Sequence, residues 1–82
     1  MAEQQTFHLV IASVGETRFD GDVYSATVPG SEGQFTVLAH HEPIVTTLTS
    51  GIITVKTKDG EKKFSIDNGV VECSQNRTVV LL

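Results

Sequence analysis

The chain is poor in cysteine, in clustered basic residues and in long apolar runs, and each shortage excludes something. Its one cysteine, Cys73, cannot close a disulfide within the chain, which argues against a disulfide-stapled secreted scaffold and agrees with a reducing compartment. Lysine and arginine number 6 against 10 acidic residues, for a net charge of −4. No basic cluster exceeds Lys62-Lys63, so no nucleic-acid footprint is expected. No apolar run approaches the roughly 20 residues that span a bilayer. The start, Met1-Ala2-Glu3-Gln4-Gln5, is polar, carries no basic side chain and leads into no apolar leader segment, so a cytosolic chain is expected. Sustained apolar spacing at i, i+3 and i+4 with caps is also missing, which leaves essentially no helix to predict.

What the chain does have is alternation. Its 82 residues, 39 % hydrophobic and 20 % charged, fit one globular domain over 1–82. Phe7, Leu9 and Ile11 alternate with His8, Val10 and Ala12, which predicts a first strand. Thr17-Arg18-Phe19-Asp20 predicts a short second one closed by Gly21, and Val23 to Val28 a third stopped by Pro29-Gly30. Phe35 to Leu38 and Ile44 to Leu48 follow. A single helical turn near Glu42 to Leu48, with Pro43 at its first position, is the only helical candidate. Ile52 to Thr57 and Lys62 to Ile66 flank Asp59-Gly60, read as a primed turn in a hairpin. Asn68-Gly69 is read as a second such turn, leading to Val70 to Cys73, and Ser74 to Arg77 turns the chain into Thr78 to Leu82. About ten short strands with turn signals between them predict an all-β sandwich or barrel.

Chemistry-bearing residues are sparse. His40-His41 with Glu42 could suggest a metal, but neighbours on an extended chain face opposite ways and His8 lies far off, so a loop corner is the better reading and no metal is expected. Cys73 has no sequence neighbour to lower its pKa and reads as a small apolar strand residue. No serine sits in a Gly-x-Ser-x-Gly elbow, and Gly30-Ser31-Glu32-Gly33 lacks the lysine and following helix of a phosphate loop. Neither catalysis nor a cofactor is therefore expected. Lys56, Lys58, Lys62 and Lys63 read as a solvated edge, and Asn76-Arg77-Thr78 matches a glycosylation sequon that means nothing in a cytosolic protein.

Taken in order, the segments are more telling. Phe7-His8-Leu9, Phe19-Asp20-Gly21-Asp22-Val23, Val28-Pro29-Gly30-Ser31-Glu32-Gly33, His41-Glu42-Pro43-Ile44-Val45-Thr46-Thr47-Leu48, Gly51-Ile52-Ile53, Asn68-Gly69-Val70-Val71-Glu72 and Asn76-Arg77-Thr78-Val79-Val80-Leu81 form an ordered set. The set resembles the N-terminal β-sandwich domain of the epsilon subunit of F-type ATP synthase, across nearly the whole chain. Thr36 stands where that family usually has glycine, Ala39-His40 where it has Pro-Gly, and Gln34 where an acidic residue is frequent.

The resemblance implies a flattened sandwich of two mostly antiparallel sheets. It also implies a non-catalytic rotor subunit of the central stalk that links the gamma subunit to the polar loops of the c-ring. Such a subunit would act on the catalytic head only indirectly, without inserting into the membrane, and would sit peripherally on the cytoplasmic face of the inner (plasma) membrane. On this reading Gly30, Ser31, Glu32 and Gln34 contact the ring, and Ser13, His41, Pro43 and Thr46 contact gamma. Family members usually continue into paired helices that bind ATP in some cases and can block rotation. A last strand closing near Leu82 leads to the expectation of coupling without that inhibition or ATP binding. A free-standing β-sandwich adaptor binding a partner through a sheet edge is the alternative, and a small metal enzyme built on His40 and His41 a more remote one.

Overall fold

A computed structural model describes residues 5–82. The polar start at residues 1–4, on which the absence of a leader was argued, lies outside the described residues. Within them the chain forms nine strands and no helix: β1 (Phe7–Ser13), β2 (Glu16–Val23), β3 (Ser25–Gly30), β4 (Gly33–Leu38), β5 (Ile44–Leu48), β6 (Gly51–Thr57), β7 (Gly60–Ile66), β8 (Gly69–Ser74) and β9 (Arg77–Leu81). The all-β class expected from alternation and turn spacing is what the fold has, with nine strands where about ten were expected.

Hydrogen bonding runs along the order β2-β1-β9-β8-β5-β3-β6-β7, with β4 paired to β3 off that path. Every ladder is antiparallel except β1 with β9. The path divides naturally. β2-β1-β9-β8-β5 forms one sheet and β4-β3-β6-β7 the other, and the ladder between them consists of the single pair Gly30 with Leu48. Beyond that short hydrogen-bonded seam, packing holds the two together. Leu9 and Ile11 of β1, Val28 of β3, Ile53 and Val55 of β6, Val71 of β8 and Val80 of β9 are fully buried in one apolar cluster. Truncating one of the larger of these to alanine should cost about 2–5 kcal/mol. On the flank where β2 meets β7, Phe19 and Phe64 contact edge to face, with centroids 6.0 Å apart.

Four local readings are corrected. β2 runs through Gly21, which pairs with Leu9, so the glycine does not end it. β3 runs through Pro29-Gly30. In a strand a residue's N–H and C=O point the same way, and the Pro29 carbonyl accepts the Thr49 N–H at 2.9 Å. On that side the β6 ladder has already ended at Thr27 and the pairing with β5 is the single pair Gly30–Leu48, so the proline removes one bond at the seam and none from a continuous ladder. Glu42 to Leu48 makes no helical turn. Ile44, Val45, Thr46 and Thr47 are all β-branched and pair residue by residue with β8.

The primed turn is also elsewhere. Thr57 pairs with Gly60 around Lys58-Asp59, and only Gly60 has positive φ (123°). Asn68 leads from β7 in one sheet to β8 in the other, so it makes no hairpin, and Gly69 has no positive φ. Both residues of the β8–β9 turn, Gln75 (φ 48°) and Asn76 (φ 59°), are left-handed, the pattern of a type I′ turn without a glycine.

Candidate functional site

The tip between β3 and β4 is a two-residue loop, Ser31-Glu32, closed by the pair Gly30–Gly33. A Cβ on Gly30 would lie 2.7 Å from the Gly33 carbonyl oxygen and 2.9 Å from the Phe35 ring, which is why no side chain fits there. The tip is also tied across to β5. Ser31 N–H donates to the Thr47 carbonyl at 3.0 Å, and the Ser31 and Thr47 hydroxyls bond at 2.8 Å. Glu32 is exposed and takes part in no ion pair among the described residues.

Beside this tip lies a groove of about 320 Å³ lined by Gly30, Glu32, Gly33, Gln34, Phe35, Ile44 and Thr46. Residues expected at two different contacts, the Gly30–Gln34 loop and Thr46, therefore share one surface. His41 stands close by: its ring centroid is 6.4 Å from that of Phe35, its Nδ1–H donates to the Glu42 carbonyl at 2.8 Å, and its N–H donates to Leu38 O at 3.2 Å. Pro43 follows, exposed, before β5 begins. Ser13 is not part of this group. It ends β1, about 20 Å along that strand from Phe7, and lines a different depression with Arg18, Asp67, Asn68 and Leu82.

His40 takes φ 62°, a backbone conformation natural to glycine, at the position where the resemblance has one. Thr36, the other glycine replacement, bonds hydroxyl to hydroxyl with Thr27 at 2.9 Å. Sequence reasoning missed a cluster across β1 and β2. His8 Nε2 lies 2.6 Å from Asp20 and Nδ1 3.1 Å from Asp22. Strand alternation puts both carboxylates on one face of β2, but only the β1–β2 register, which pairs His8 with Asp22, brings the imidazole between them. The two carboxylates meet different nitrogens of the ring, and no group of three such side chains is arranged to hold a metal ion among the described residues.

Cys73 is buried, and burial pushes its thiol upward from the usual range. The Thr78 hydroxyl, donating to Sγ at 3.4 Å, works against that shift, and the charge of Glu72 adds to it. The result is a protonated packing residue rather than a nucleophile. No helix is long and apolar enough to cross a membrane among the described residues.

This geometry has counterparts. Residues 6–82 match the family described as the beta-sandwich domain of the ATP synthase delta/epsilon chain. The chain is 41 % identical over 76 residues to an ATP synthase epsilon chain of Bradyrhizobium sp., covering 93 % of this chain and 56 % of that protein. A counterpart from Rhodopseudomonas palustris is 40 % identical over the same coverage. The chain thus spans about 56 % of the length of these curated relatives. Among solved structures, a chain of the Euglena gracilis mitochondrial ATP synthase superposes with a TM-score of 0.86 at 24 % identity, covering 93 % of this chain and 49 % of that one. A chain from the Tetrahymena thermophila mitochondrial ATP synthase central stalk and c-ring gives 0.77 at 11 %, covering 98 % and 65 %. At those identities the structures bear on fold.

Proposed function

The chain belongs to the ATP synthase delta/epsilon family, through its beta-sandwich domain, and from that premise we propose that it serves as a non-catalytic rotor element of the central stalk. In this role it joins the gamma subunit to the polar loops of the c-ring, passes rotation to the catalytic head only through gamma, and works at the cytoplasmic face of the plasma membrane without entering it. The family match over residues 6–82 supports the assignment. The observation that carries the mechanism is the locked tip. A part that transmits torque must not yield, and the Ser31-Glu32 loop is bonded to Thr47 through both backbone and side chain. Glu32 stands free above that anchor, able to accept charge-assisted hydrogen bonds from a basic group on a ring loop. Gly33, with nothing near its Cβ position, lets a neighbouring backbone approach closely. His41, Pro43 and Thr46 line the approach for gamma, and Ser13 belongs to a second, separate contact area.

Reversing charge tests the two surfaces apart. Glu32→Lys should weaken association with the c-ring, and His41→Glu association with gamma, because repulsion at a contact lowers affinity or slows encounter. Binding of the purified chain to gamma, and of the gamma complex to detergent-solubilised ring, measures each. Full coupling with both variants would overturn the residue assignment, whereas failure of the unmodified chain to bind gamma would overturn the role itself and favour a free-standing adaptor.

A further inference from the structure

The corner carrying His41 lies between β4 and β5 and belongs to no ladder. Its backbone is strained, because His40 sits at φ 62°, where a side chain crowds the following carbonyl. Something must hold it. The His40 N–H donates to Asn76 Oδ1 at 2.7 Å, across 36 residues of sequence. The same amide donates from Nδ2 to the Thr6 carbonyl at 3.0 Å, across 70 residues, and the Asn76 backbone oxygen accepts the His8 N–H at 3.2 Å. Asn76 is itself left-handed at φ 59°, a conformation asparagine tolerates better than most residues. One side chain in the β8–β9 turn therefore joins the start of β1 to the strained corner. Phe7, Leu38, His41, Cys73 and Asn76 line a single crevice too tight to hold water, so the corner is pressed against the turn that clamps it.

We propose that Asn76 is the positioning residue for the partner-binding corner, holding His40 in its left-handed conformation so that His41 and Pro43 are presented in fixed geometry. The proposal rests on the reading of His41 as a gamma contact. A pre-set loop loses less freedom on docking, so the clamp acts on affinity through pre-organisation.

Two substitutions separate positioning from stability. Asn76→Gly keeps the left-handed turn but removes both side-chain bonds. Asn76→Asp keeps an acceptor for the His40 N–H while setting a carboxylate oxygen against the Thr6 carbonyl, which lowers stability without freeing the corner. Amide exchange, denaturant titration and binding to purified gamma are measured for both, with His41→Glu alongside. In Asn76→Gly the His40 and His41 amides should accelerate at least about tenfold more than those of Ile53 and Val55 on β6, whose protection follows global stability. Gamma should bind that variant about fivefold more weakly, the value of one net hydrogen bond. Asn76→Asp should unfold at lower denaturant yet bind gamma as the unmodified chain does.

Unchanged exchange at His40 in Asn76→Gly overturns the clamp whatever gamma does. Faster exchange with unaltered binding, while His41→Glu still weakens it, overturns the positioning role but leaves the gamma contact standing. Binding that falls in step with stability in both variants reduces Asn76 to a structural residue and overturns the proposal. If His41→Glu has no effect, the gamma reading fails and the proposal falls with it.

Discussion

The tips of the β3–β4 and β6–β7 hairpins share a local design and differ in everything beyond it. Each is a two-residue loop ending in an acidic or mixed-charge pair, Ser31-Glu32 or Lys58-Asp59, followed by a glycine of large positive φ, 133° at Gly33 and 123° at Gly60. Among the described residues the second is bonded only to itself: Thr57 Oγ1–H donates to Gly60 O at 3.1 Å, and the Asp59 N–H donates to Thr57 Oγ1 at 3.1 Å. The first is bonded to β5, on the other sheet, through Thr47. Local chemistry thus sets the turn, and long-range bonds decide whether it is a free tip or part of a platform. The free tip carries the lysines and the anchored one carries the proposed ring contact.

The sharpest way to break this contrast is at the glycines. Gly30→Ala drives a Cβ to within 2.7 Å of backbone and should cost about 2–3 kcal/mol, the range of an overpacked core, with displacement of the Phe35 ring. Gly60→Ala meets open space and carries only the strain of its φ, about 1–2 kcal/mol. Denaturant midpoints of the two variants measure the difference, and equal losses would mean that the anchored tip is no more constrained than the free one. Smaller still is the anchor itself. A double-mutant cycle with Ser31→Ala and Thr47→Val should give a coupling of about 0.5–1 kcal/mol, while Thr57→Ala, paired in the same cycle with Thr47→Val, should show none.

Alkaline pH supplies an effect that vanishes at neutrality and should not distinguish the tips. The folded thiol of Cys73 is raised above its unfolded value, so the folded chain holds its proton where the unfolded chain releases it. Its contribution is full below pH 9.0, the unfolded value, and is lost as pH rises from there through the folded pKa. Unfolding free energy should therefore decline above that pH with both hairpins opening together, and Cys73→Ala should flatten the decline while lowering stability throughout. A decline of equal slope in the variant would assign the titration to another group.

The contrast also marks what could be read from residues alone. Strand alternation located β5 to its exact ends and the other strands to within a few residues, because the period reports which face meets the core. Turn dipeptides misled for a physical reason. Asp59-Gly60 and Asn68-Gly69 have the composition of primed turns, but Asn68 spans from sheet to sheet and Gly60 lies just past its loop. The turn that does have two left-handed residues, Gln75-Asn76, contains no glycine and is stabilised from outside, by Thr6 and His40. The loop Gly30 to Gln34 was legible as a tight tip, but its anchor Thr47 was not, since nothing in a threonine announces a partner 16 residues away. His8 between Asp20 and Asp22 stayed hidden likewise, because register is a property of two strands together.

The parallel pairing of the first strand with the last has a mechanical meaning. His8 with Arg77 through Ala12 with Leu81 are five register pairs side by side in one direction. Tension pulling the leading end of β1 away from the trailing end of β9 would slide these strands lengthwise, so the rungs would be strained together in shear instead of opening one after another like a zip. In the proposed role the chain is coupled to a turning shaft and stretched in fluctuating directions, and along this one it would yield only when a whole ladder gave way at once.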